Sequence, residues 1–456
     1  MNTKSINNIA IVGAGLVGSL LSIYLKKRGY DVTVFERRPD MRKKGAEGGR
    51  SINLALSNRG IRALEEIGLA EPLKKVAIPM HGRVMHDRSG NLTFQPYGKQ
   101  GQYINSVSRS GLNIVLMDEA EKLGVDFVFD ARIQKVDIEE TALIFSQQST
   151  INDQQLTVDN RPFDLIIGAD GAFSAVRGSF QITDRFDYSQ DYIEHGYKEL
   201  CIPAGVGGSF QIEKNALHIW PRESFMMIAL PNPDGSFTCT LFFPFEGKVA
   251  FNKLKTDSDI QMFFAETFPD ALKMMPDLLT DYNSNPTSSL VTVKCYPWVR
   301  KNTLLIGDAA HAIVPFFGQG MNAGFEDCRI LNELLDKHHD DWSAVLPAFQ
   351  ESRKPDTDAI AQLALDNFIE MRDLVADSDF LLRKKIEAKL HELFPAKWVP
   401  LYSMVTFHDN TRYSHAYQTG LRQKKIMDEV METPGIETNW MSLDFQSIVN
   451  RLDKGF

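Results

Sequence analysis

The chain has 456 residues, of which 43% are hydrophobic and 24% are charged, and its formal net charge is −9. These values are typical of an ordinary globular protein with two or three domains. They argue against a nucleic-acid partner, because phosphate binding needs clustered Lys and Arg. The cysteines lie far apart and form no C-x-x-C pair, so we expect reduced thiols, no metal site and a cytoplasmic location; they are Cys201, Cys239, Cys295 and Cys328.

One segment is almost wholly apolar, residues 9–25, "IAIVGAGLVGSLLSIYL". It is too short and too rich in glycine for a membrane span, and it lacks the basic start of a signal peptide. No later stretch is apolar over the roughly 18 residues that a span requires. We therefore expect a soluble protein with no membrane anchor.

The N-terminus predicts a βαβ unit, in which "NIAIVG" and "DVTVFE" are strands around a helix that ends at Gly29. Gly13, Gly15 and Gly18 have G-x-G-x-x-G spacing at the first turn. Gly13 permits the turn, Gly15 lets the backbone approach a pyrophosphate, and Gly18 allows close packing of helix on strand. Glu36 ends the second strand, where an acid accepts a hydrogen bond from a ribose. The alternative is a tight turn with chance glycines.

The rest of the chain predicts three further regions. Residues 59–75 have a helical pattern, 192–293 alternate as antiparallel strands do, and "PNPDG" is a hairpin signal. A buried strand, "TLLIG", then precedes a helix with one apolar stripe, and the sequence from 342 onward is mostly helical. We expect an α/β fold: a Rossmann-like domain (1–182 and 295–345), an inserted antiparallel substrate domain (183–294, with 76–99 contributing to its pocket) and a helical C-terminal region (346–456) covering the site.

Two later motifs interrupt buried strands with charge. "DLIIGADGAFSAVR" contains Asp170, and "LLIGDAAHAIVPFFGQGMN" contains Asp308, Gly318 and Gly320. With the N-terminal glycines, in this order, they resemble the class A flavoprotein aromatic hydroxylases, the family of p-hydroxybenzoate hydroxylase. The resemblance implies that one FAD lies across all three motifs; the free 2′-hydroxyl of FAD also suits Glu36, whereas Arg37 and Arg38 leave a choice between NAD and NADP open.

The same resemblance assigns roles at the flavin. It implies that Asp308 binds a ribityl hydroxyl, that Gly318 and Gly320 bring backbone N–H groups to the isoalloxazine, and that the helix starting near Asn322 points its positive end there. Arg109 matches an FAD-contacting arginine. Asp308 as a helix cap or in an ion pair, and Arg109 as a solvated side chain, are the alternatives; we expect His311 to be a packed histidine. The full expected cofactor set is Gly13, Gly15, Leu16, Val17, Gly18, Glu36, Arg37, Arg38, Ala55, Arg109, Asp170, Asp308, Gly318, Gly320, Met321 and Asn322.

The sequence has only one dinucleotide fingerprint. The resemblance therefore implies that NADPH binds transiently in a groove and that O2 reacts with the reduced flavin to give a C4a-hydroperoxide. No side chain is expected to be catalytic, since the flavin performs the chemistry. The sequence leaves open the oligomeric state, a dimer included, and the preference for NADPH over NADH.

Further blocks narrow the resemblance to the branch of this family that hydroxylates L-kynurenine; they are residues 48–57, 94–99, 195–200, 215–222, 364–373 and 402–407. It implies that Arg83, Tyr97, Asn367 and Tyr402 bind the substrate, with Glu370 balancing its α-amino group. Apolar positions would hold the ring (Leu217, Met226, Ile228 and Phe242) or close the pocket on the flavin side (Pro315, Phe316 and Phe317). The polar C-terminus fits a soluble bacterial type.

Other interpretations stay open. Arg83 could pair with Asp87 on the surface, Tyr97 could be a turn residue, and Asn367 and Glu370 could be a solvated helix face. The "HGYKEL" stretch has no assigned role. Phe317 stands where some relatives have histidine. The rival functions are hydroxylation of another aromatic acid, a different flavin enzyme such as a reductase of related fold or a halogenase, and a non-catalytic FAD-binding protein. The absence of W-x-W disfavours the halogenase.

Overall fold

The computed structural model describes residues 6–43, 53–97, 101–148, 156–370 and 378–453, with the side chains of 147–148 and 156–158 excepted. Parts of the blocks at 48–57, 94–99 and 364–373 lie outside the described residues.

The strands in chain order are β1 (Asn8–Val12), β2 (Asp31–Phe35), β3 (Asn53–Leu56), β4 (Ala77–Met80), β5 (Gly82–His86), β6 (Leu92–Pro96), β7 (Ile104–Ser108), β8 (Asp126–Val128), β9 (Ala131–Asp137), β10 (Ala142–Gln148), β11 (Leu156–Pro162), β12 (Leu165–Gly168), β13 (Asp187–Ile202), β14 (Ala216–Arg222), β15 (Phe225–Pro231), β16 (Phe237–Pro244), β17 (Thr287–Tyr296), β18 (Val299–Arg300) and β19 (Thr303–Leu305).

The α-helices are α1 (Leu16–Lys27), α2 (Asn58–Glu65), α3 (Ala70–Lys74), α4 (Arg109–Lys122), α5 (Ala175–Gln181), α6 (Asp257–Thr267), α7 (Pro269–Leu272), α8 (Leu278–Ser284), α9 (Asp308–His311), α10 (Gly320–Lys337), α11 (Trp342–Ile369), α12 (Ser378–Leu393), α13 (Leu401–Thr406), α14 (Tyr413–Met431), α15 (Ile436–Asn439) and α16 (Phe445–Asn450). Short 3-10 helices cover Val206–Gly208, Phe251–Lys253, Pro315–Phe317 and Trp440–Ser442.

The first layer is a six-stranded sheet in the order β18-β19-β12-β1-β2-β8, parallel except for the β18–β19 pair. Strand β1 is buried along almost its whole length, as expected of a parallel strand covered on both faces. The Rossmann-like unit predicted at the N-terminus is confirmed. Its parallel strands come from three distant parts of the chain, so their carboxyl ends bring the three sequence motifs to one edge.

The second layer is a seven-stranded sheet in the order β17-β13-β16-β15-β14-β5-β6. The predicted hairpin is confirmed, because β15 and β16 pair antiparallel across a turn in which Gly235 has φ of 91°. Strand β5 pairs parallel with β14 and antiparallel with β6. Residues 82–96 are thus strands of this sheet, although they lie within the first half of the chain.

Two three-stranded sheets, β11-β10-β9 and β3-β7-β4, flank these layers. The helical pattern at 59–75 forms two helices, since Gly68 interrupts it with φ of 84°. The predicted stripe of α10 is fully buried, namely Phe325, Cys328, Leu331 and Leu335; each large apolar side chain of this kind contributes about 1.5–3 kcal/mol. The C-terminal region is helical, as the pattern predicts, and α11 and α13 pack on the second sheet through Phe368, Met404 and Val405.

Candidate active site

The turn between β1 and α1 requires glycine at two of its three predicted positions. Gly13 has φ of 105°, and a Cβ there would lie 2.6 Å from the Ala169 carbonyl oxygen. A Cβ on Gly18 would lie 1.9 Å from the Gly13 oxygen. Gly15, the N-cap of α1, has no described atom within 4 Å of a Cβ built on it. The turn is therefore a backbone cradle, and its open side at the helix N-terminus suits a pyrophosphate.

The three sequence motifs meet at this cradle. A Cβ on Gly307 would lie 3.1 Å from Val17, and one on Gly324 would lie 2.5 Å from the same side chain. Leu16 beside it is buried. Val17 thus joins the first motif to the third, while the contact of Gly13 with the 169–170 backbone joins the first to the second.

Glu36 is buried at the end of β2 and closes the other side of the cradle. One carboxylate oxygen accepts from the backbone N–H of Ala14, at 3.0 Å. The other accepts from the backbone N–H and the Nε of Arg38, each at 3.0 Å. Arg37 and Arg38 are both exposed. Because each carboxylate oxygen has two acceptor sites, Glu36 retains capacity for a ribose hydroxyl.

Asp170 is engaged by its own loop. Its carboxylate accepts from the Ser174 hydroxyl at 2.5 Å and from the N–H groups of Ala175 at 2.7 Å and Val176 at 3.3 Å. Burial raises the pKa of Asp170, although these hydrogen bonds oppose that effect. The side chain caps α5 and shapes the backbone beside Gly13, so its predicted contact with the cofactor stays a prediction.

Arg177, which is not among the predicted site residues, connects the second motif to the third. Its guanidinium is buried and donates to the carbonyl oxygens of Ala309 at 2.8 Å and Ala172 at 2.5 Å. It therefore fastens the second motif to α9 in the third. The sequence offered a signal, an arginine inside an otherwise buried motif.

Asp308 is the first residue of α9 and follows Gly307, which has φ of 58°. Its carboxylate is half-buried and makes no hydrogen bond or ion pair with the other described residues. The helix-cap and ion-pair alternatives therefore find no partner in the described ranges. An unengaged carboxylate beside the cradle suits a ligand that carries hydroxyl groups.

The segment after Pro315–Phe317 presents backbone donors. Gly318 has φ of 66°, and a Cβ on it would lie 3.3 Å from Ala55. Helix α10 begins at Gly320, two residues earlier than expected, and the first N–H of this turn that bonds within the helix is that of Ala323. The N–H groups of residues 320–322, Met321 included, therefore face outward at the positive end of an 18-residue helix.

The side chain of Asn322 holds this segment in place. It accepts from the N–H of Ser57 at 2.9 Å and donates to the carbonyls of Ala55 at 2.9 Å and Gly318 at 2.8 Å. Only the backbone of Asn322 is left for a ligand. Arg109 begins α4 with an exposed side chain, so its predicted contact also stays a prediction.

These features fit FAD. The glycine cradle and the N-terminus of α1 suit the pyrophosphate, Glu36 the ribose, Asp308 the ribityl chain, and the outward N–H groups of α10 the isoalloxazine edge that carries negative charge when reduced. Gly13 and Gly18 have no room for a Cβ, and Gly15 leaves open space where the protein backbone must come closest to the ligand.

A polar cluster lies on the second sheet, next to residues 315–322, here called the flavin-side segment. The guanidinium of Arg83 lies 5.3 Å from the ring centroid of Tyr97 and 4.8 Å from that of Tyr402. The two tyrosine rings are stacked 5.7 Å apart. The Arg83 guanidinium interacts with the hydroxyls of Tyr97 and Tyr402, but its Nε and the Tyr97 hydroxyl are buried without a hydrogen bond of normal geometry to the described residues. Such unpaired donors are costly, so they indicate a ligand with an anionic or acceptor group.

The alternative for Arg83, a surface pair with Asp87, is wrong, whereas the alternative for Tyr97, a turn residue, is not tested. The Asp87 carboxylate bonds to Ser89 and Asn91 and does not pair with Arg83. Tyr97 is only 8% exposed and packs in the core. Burial raises the pKa of Tyr97, so its hydroxyl remains a donor at neutral pH.

Apolar side chains pack beside this cluster. Met226, Phe242, Phe316 and Phe317 are buried in one group, which Ile228 and Tyr402 join. Phe242 lies 5.0 Å from Phe316, and Phe317 stacks on Tyr402 at 5.6 Å. Ile228 and Tyr402 also pack with Leu217, Tyr97 and Ala55. Pro315 opens the turn that carries the two phenylalanines.

Asn367 contacts the flavin-side segment, whereas Glu370 forms an ion pair away from it. Asn367 donates to the carbonyl oxygen of Phe316, at 2.6 Å, and so supports the flavin-side wall. Glu370 pairs with Lys384 on α12 at 3.4 Å. This ion pair occupies the carboxylate expected to balance an α-amino group, whose contact stays a prediction.

A buried charged array lies behind the flavin-side segment and is not among the predicted site residues. Asp327 accepts from the Gly307 N–H at 3.1 Å, from His311 at 2.6 Å and from Arg353 at 2.7 Å. Burial alone would raise the pKa of Asp327, but His311 and Arg353 lower it. His311 is therefore packed and hydrogen-bonded, in keeping with the interpretation that denies it a catalytic role. The sequence signal for this array is the pair of adjacent acids, Glu326 and Asp327, among the apolar residues of α10.

The "HGYKEL" stretch has a structural explanation. His195 bonds to the Ser224 carbonyl at 2.7 Å and packs against Phe368 at 4.9 Å. Lys198 is buried and donates to the carbonyls of Tyr282 and Asn285 at the end of α8. The stretch thus joins the second sheet to helices on both of its faces.

Among the described helices, none combines the length and apolar character that a membrane crossing requires.

Residues 7–364 match the family model described as FAD binding domain. The chain is similar to the kynurenine 3-monooxygenases of Christiangramia forsetii, 49% identical over 450 residues that cover 98% of this chain and 99% of that one, and of Flavobacterium johnsoniae, 47% identical over 445 residues covering 97% and 98%. Among solved structures, the tetrameric form of 2-methyl-3-hydroxypyridine-5-carboxylic acid oxygenase has a TM-score of 0.65 at 22% identity, over 83% of this chain and 96% of that one, which shows a shared fold.

Proposed function

Because this chain belongs to the FAD binding domain family and, within it, to the kynurenine 3-monooxygenases, we propose that it hydroxylates L-kynurenine to 3-hydroxykynurenine. FAD is the cofactor, and NADPH and O2 are the co-substrates. When bound, FAD would supply the redox chemistry: acceptance of a hydride from NADPH and transfer of one oxygen atom of O2 to an aromatic ring, with the other atom leaving as water. The protein's own residues bind the two molecules, orient the ring and exclude water.

Arg83 and Tyr97 bind the amino-acid end of the substrate in this proposal. A guanidinium offers two parallel N–H donors to a carboxylate, and the Tyr97 hydroxyl adds a third. The partnerless Nε of Arg83 and hydroxyl of Tyr97 support this role, since a bound carboxylate would satisfy both. Tyr402 completes the grip by holding the guanidinium over its ring face.

The apolar wall orients the aryl ketone. Met226, Ile228 and Phe242 line the sheet side, and Phe316 and Phe317 line the flavin side. Kynurenine carries a ring amine ortho to its ketone, which already makes the ring electron-rich, so the reaction needs no base from the protein. The task of these side chains is to hold the ring in place and keep the chamber dry.

No catalytic side chain is proposed. His311, the histidine in the third motif, has its ring nitrogen bonded to Asp327 at 2.6 Å, and it therefore serves the loop geometry. Asn367 supports the Phe316 backbone. We also propose a cytoplasmic location, since all four cysteines are free thiols and such thiols persist in a reducing compartment.

The observation that carries the proposal is the Arg83–Tyr97–Tyr402 cluster, with its buried donors, beside the aromatic side chains of the Pro315–Phe317 turn that precedes α10. The test is steady-state turnover of the purified FAD-bound protein with NADPH and each of L-kynurenine, anthranilate and p-hydroxybenzoate. We expect 3-hydroxykynurenine from the first and little stimulation by the others. Preferential hydroxylation of another aromatic acid, or no flavin in the purified protein, would contradict the proposal.

A further inference from the structure

The segment from Tyr402 to Thr411, here called the pocket segment, carries one wall of the substrate chamber. Tyr402 contacts Arg83, Tyr97 and Phe317. Phe407, in the middle of the same segment, packs edge-on against Tyr97 at 6.4 Å. Whatever holds this segment therefore also sets the distance between Arg83 and the flavin-side wall.

The first turns of α2 hold the pocket segment through side-chain donors. The Nε of Arg59 donates to the Val405 carbonyl at 2.9 Å, and one Nη donates to the carbonyls of His408 and Thr411. Asn58 donates to the Phe407 carbonyl at 3.0 Å. These acceptors are carbonyls of the last turn of α13 and of the stretch that follows it, where the final carbonyls of a helix have no partner within the helix. The His408 carbonyl also accepts from the Thr411 N–H, at 2.9 Å.

Arg59 also reaches the charged array behind the flavin-side segment. Its other Nη donates to Glu326 at 2.7 Å, and Glu326 in turn accepts from Arg353 at 2.8 Å. The guanidinium lies 4.0 Å from the ring centroid of Tyr413. The side chain is completely buried, so its planar fork is fixed between the two regions.

The same helix is fastened to the flavin-side segment at its start. The Ser57 N–H and the Ala55 carbonyl bond to the side chain of Asn322. The Tyr413 hydroxyl donates to Gln319, the N-cap of α10, at 2.9 Å. The start of α2 is thus bonded on one side to the turn where the isoalloxazine is expected and on the other to the pocket segment.

We propose that Arg59 is a positioning residue for the monooxygenase reaction: it holds the pocket segment, and with it Tyr402, in fixed register with the flavin edge. This inference rests on the proposed function. Arg59 touches neither substrate nor flavin in this proposal. It acts by fixing the distance between the group that grips the substrate and the cofactor that oxidises it.

Arg62 provides a matched control on the same helix. It also donates to the pocket segment, to Asp409 at 3.2 Å and Asn410 at 2.8 Å, but through side chains at the surface. Its side chain is 36% exposed, whereas that of Arg59 is 0% exposed. Arg62→Lys keeps the charge and removes only an exposed contact, which contributes little.

The experiment compares Arg59→Lys, Asn58→Ala and Arg62→Lys with the wild type, all as FAD-bound full-length protein. Lysine cannot reach the divergent acceptors of the guanidinium, so Arg59→Lys should raise the KM for L-kynurenine by about tenfold or more, because ångström-scale misplacement has effects of this order. It should also divert NADPH oxidation to hydrogen peroxide. FAD content should equal that of the wild type, Asn58→Ala should shift KM in the same direction by a smaller factor, and Arg62→Lys should stay within about twofold.

A second readout does not depend on the substrate. Hydrogen–deuterium exchange over residues 401–411 of the FAD-bound protein should be faster in Arg59→Lys and Asn58→Ala than in Arg62→Lys. A wild type that does not turn over L-kynurenine would sink the proposed function, and the exchange data would then decide the holding role alone. Wild-type KM, coupling and exchange in Arg59→Lys, whatever its melting temperature, would overturn the inference. Should Arg59→Lys not fold, unchanged KM and exchange in Asn58→Ala would do so.

Discussion

The cradle proposed to bind FAD and the chamber proposed to bind the substrate share the segment from Pro315 to Asn322, yet they are built from different chemical parts. The cradle consists of backbone: two glycines that tolerate no Cβ, one that faces open space, and the outward N–H groups of two helices. The chamber consists of side chains: one arginine, two tyrosines and a wall of aliphatic and aromatic groups. A site made of backbone depends on the conformations and close approaches that the chain can adopt, whereas a site made of side chains depends on the residue type at each position.

The largest expected effect tests the backbone half. Gly18→Ala would place a methyl group 1.9 Å from the Gly13 oxygen, so the helix must move off the strand. We expect a destabilisation of about 3 kcal/mol, the upper end of the usual range for overpacking, and purification of a colourless protein. The measurement is flavin absorbance per chain together with denaturant unfolding.

Gly15→Ala sharpens the same test. The protein leaves open space there, so the fold should survive while FAD binding weakens, because the added methyl group occupies the ligand's side. Gly178→Ala is the control, since Gly178 is helical and also has nothing within 4 Å. Equal FAD content in the Gly15 and Gly178 variants would contradict the role of Gly15 in the cradle.

The second effect is a pH dependence of stability that comes from histidines on the substrate sheet and not from the cradle. His86 bonds to Asp270 at 2.8 Å and to His218 at 2.9 Å behind the substrate sheet. Burial lowers the pKa of His218 to about 4, below the value of about 6.5 in an unfolded chain. Between pH 6.5 and pH 4 the unfolded state therefore takes up a proton that the folded state does not. The free energy of unfolding should fall across this window as the pH falls, by up to roughly 3 kcal/mol.

Denaturant unfolding at pH 7 and pH 5 checks this, with His218→Gln as the comparison. The variant should show a smaller decrease between the two pH values. Asp270 acts in a lower window: burial alone would raise its pKa, but His86 and Trp220 lower it to about 2, so its contribution is lost only as the pH falls from about 4 to about 2. An identical decrease in wild type and His218→Gln would show that the substrate sheet has no such pH sensitivity.

The third effect concerns Asp308, whose carboxylate has no hydrogen-bond or ion-pair partner among the described residues. Asp308→Ala should weaken FAD binding by about 1–3 kcal/mol, the cost of leaving a hydroxyl of the ligand without its acceptor. Asp308→Asn should recover part of the loss, because it retains an acceptor oxygen. Equilibrium dialysis of FAD gives the affinities, and wild-type FAD affinity in Asp308→Ala would refute this role.

The smallest effect tests one hydroxyl of the chamber. Tyr97→Phe keeps the ring that stacks on Tyr402 and removes only the buried hydroxyl. We expect binding of L-kynurenine to weaken by about 1 kcal/mol, with FAD content unchanged. A Tyr97→Phe variant that becomes more stable and still binds L-kynurenine normally would indicate that the hydroxyl serves no ligand.

The backbone half could be predicted closely from sequence, because its requirements leave short contiguous signatures. Glycines with a positive φ or a forbidden Cβ must be glycine, and the strands before them must be buried. The Rossmann-like unit, the hairpin near Gly235 and the stripe of α10 followed from such local patterns. The start of α10 was placed two residues late, because no side chain caps it.

The side-chain half could not be derived in this way. Its residues come from β5, the end of β6, β14 to β16 and the C-terminal helices, and no local pattern states that β5 pairs with β14. The resemblance to a family supplied those positions. Polar residues that act through others had no signal of their own: Arg59, Glu326 and Asp327 form one array only because α2, α10 and α11 pack together.

The grip on the substrate carboxylate is the central claim, and Arg83→Ala tests it most directly. The measurement is a titration with L-kynurenine in which 3-hydroxykynurenine and hydrogen peroxide are quantified side by side, with FAD content determined on the same sample. Removing one partner of a buried charge pair costs about 2–5 kcal/mol, so binding should weaken by roughly 30-fold or more, with a larger share of peroxide, normal FAD content and only partial rescue in Arg83→Lys. Near wild-type affinity and coupling in Arg83→Ala would contradict the account.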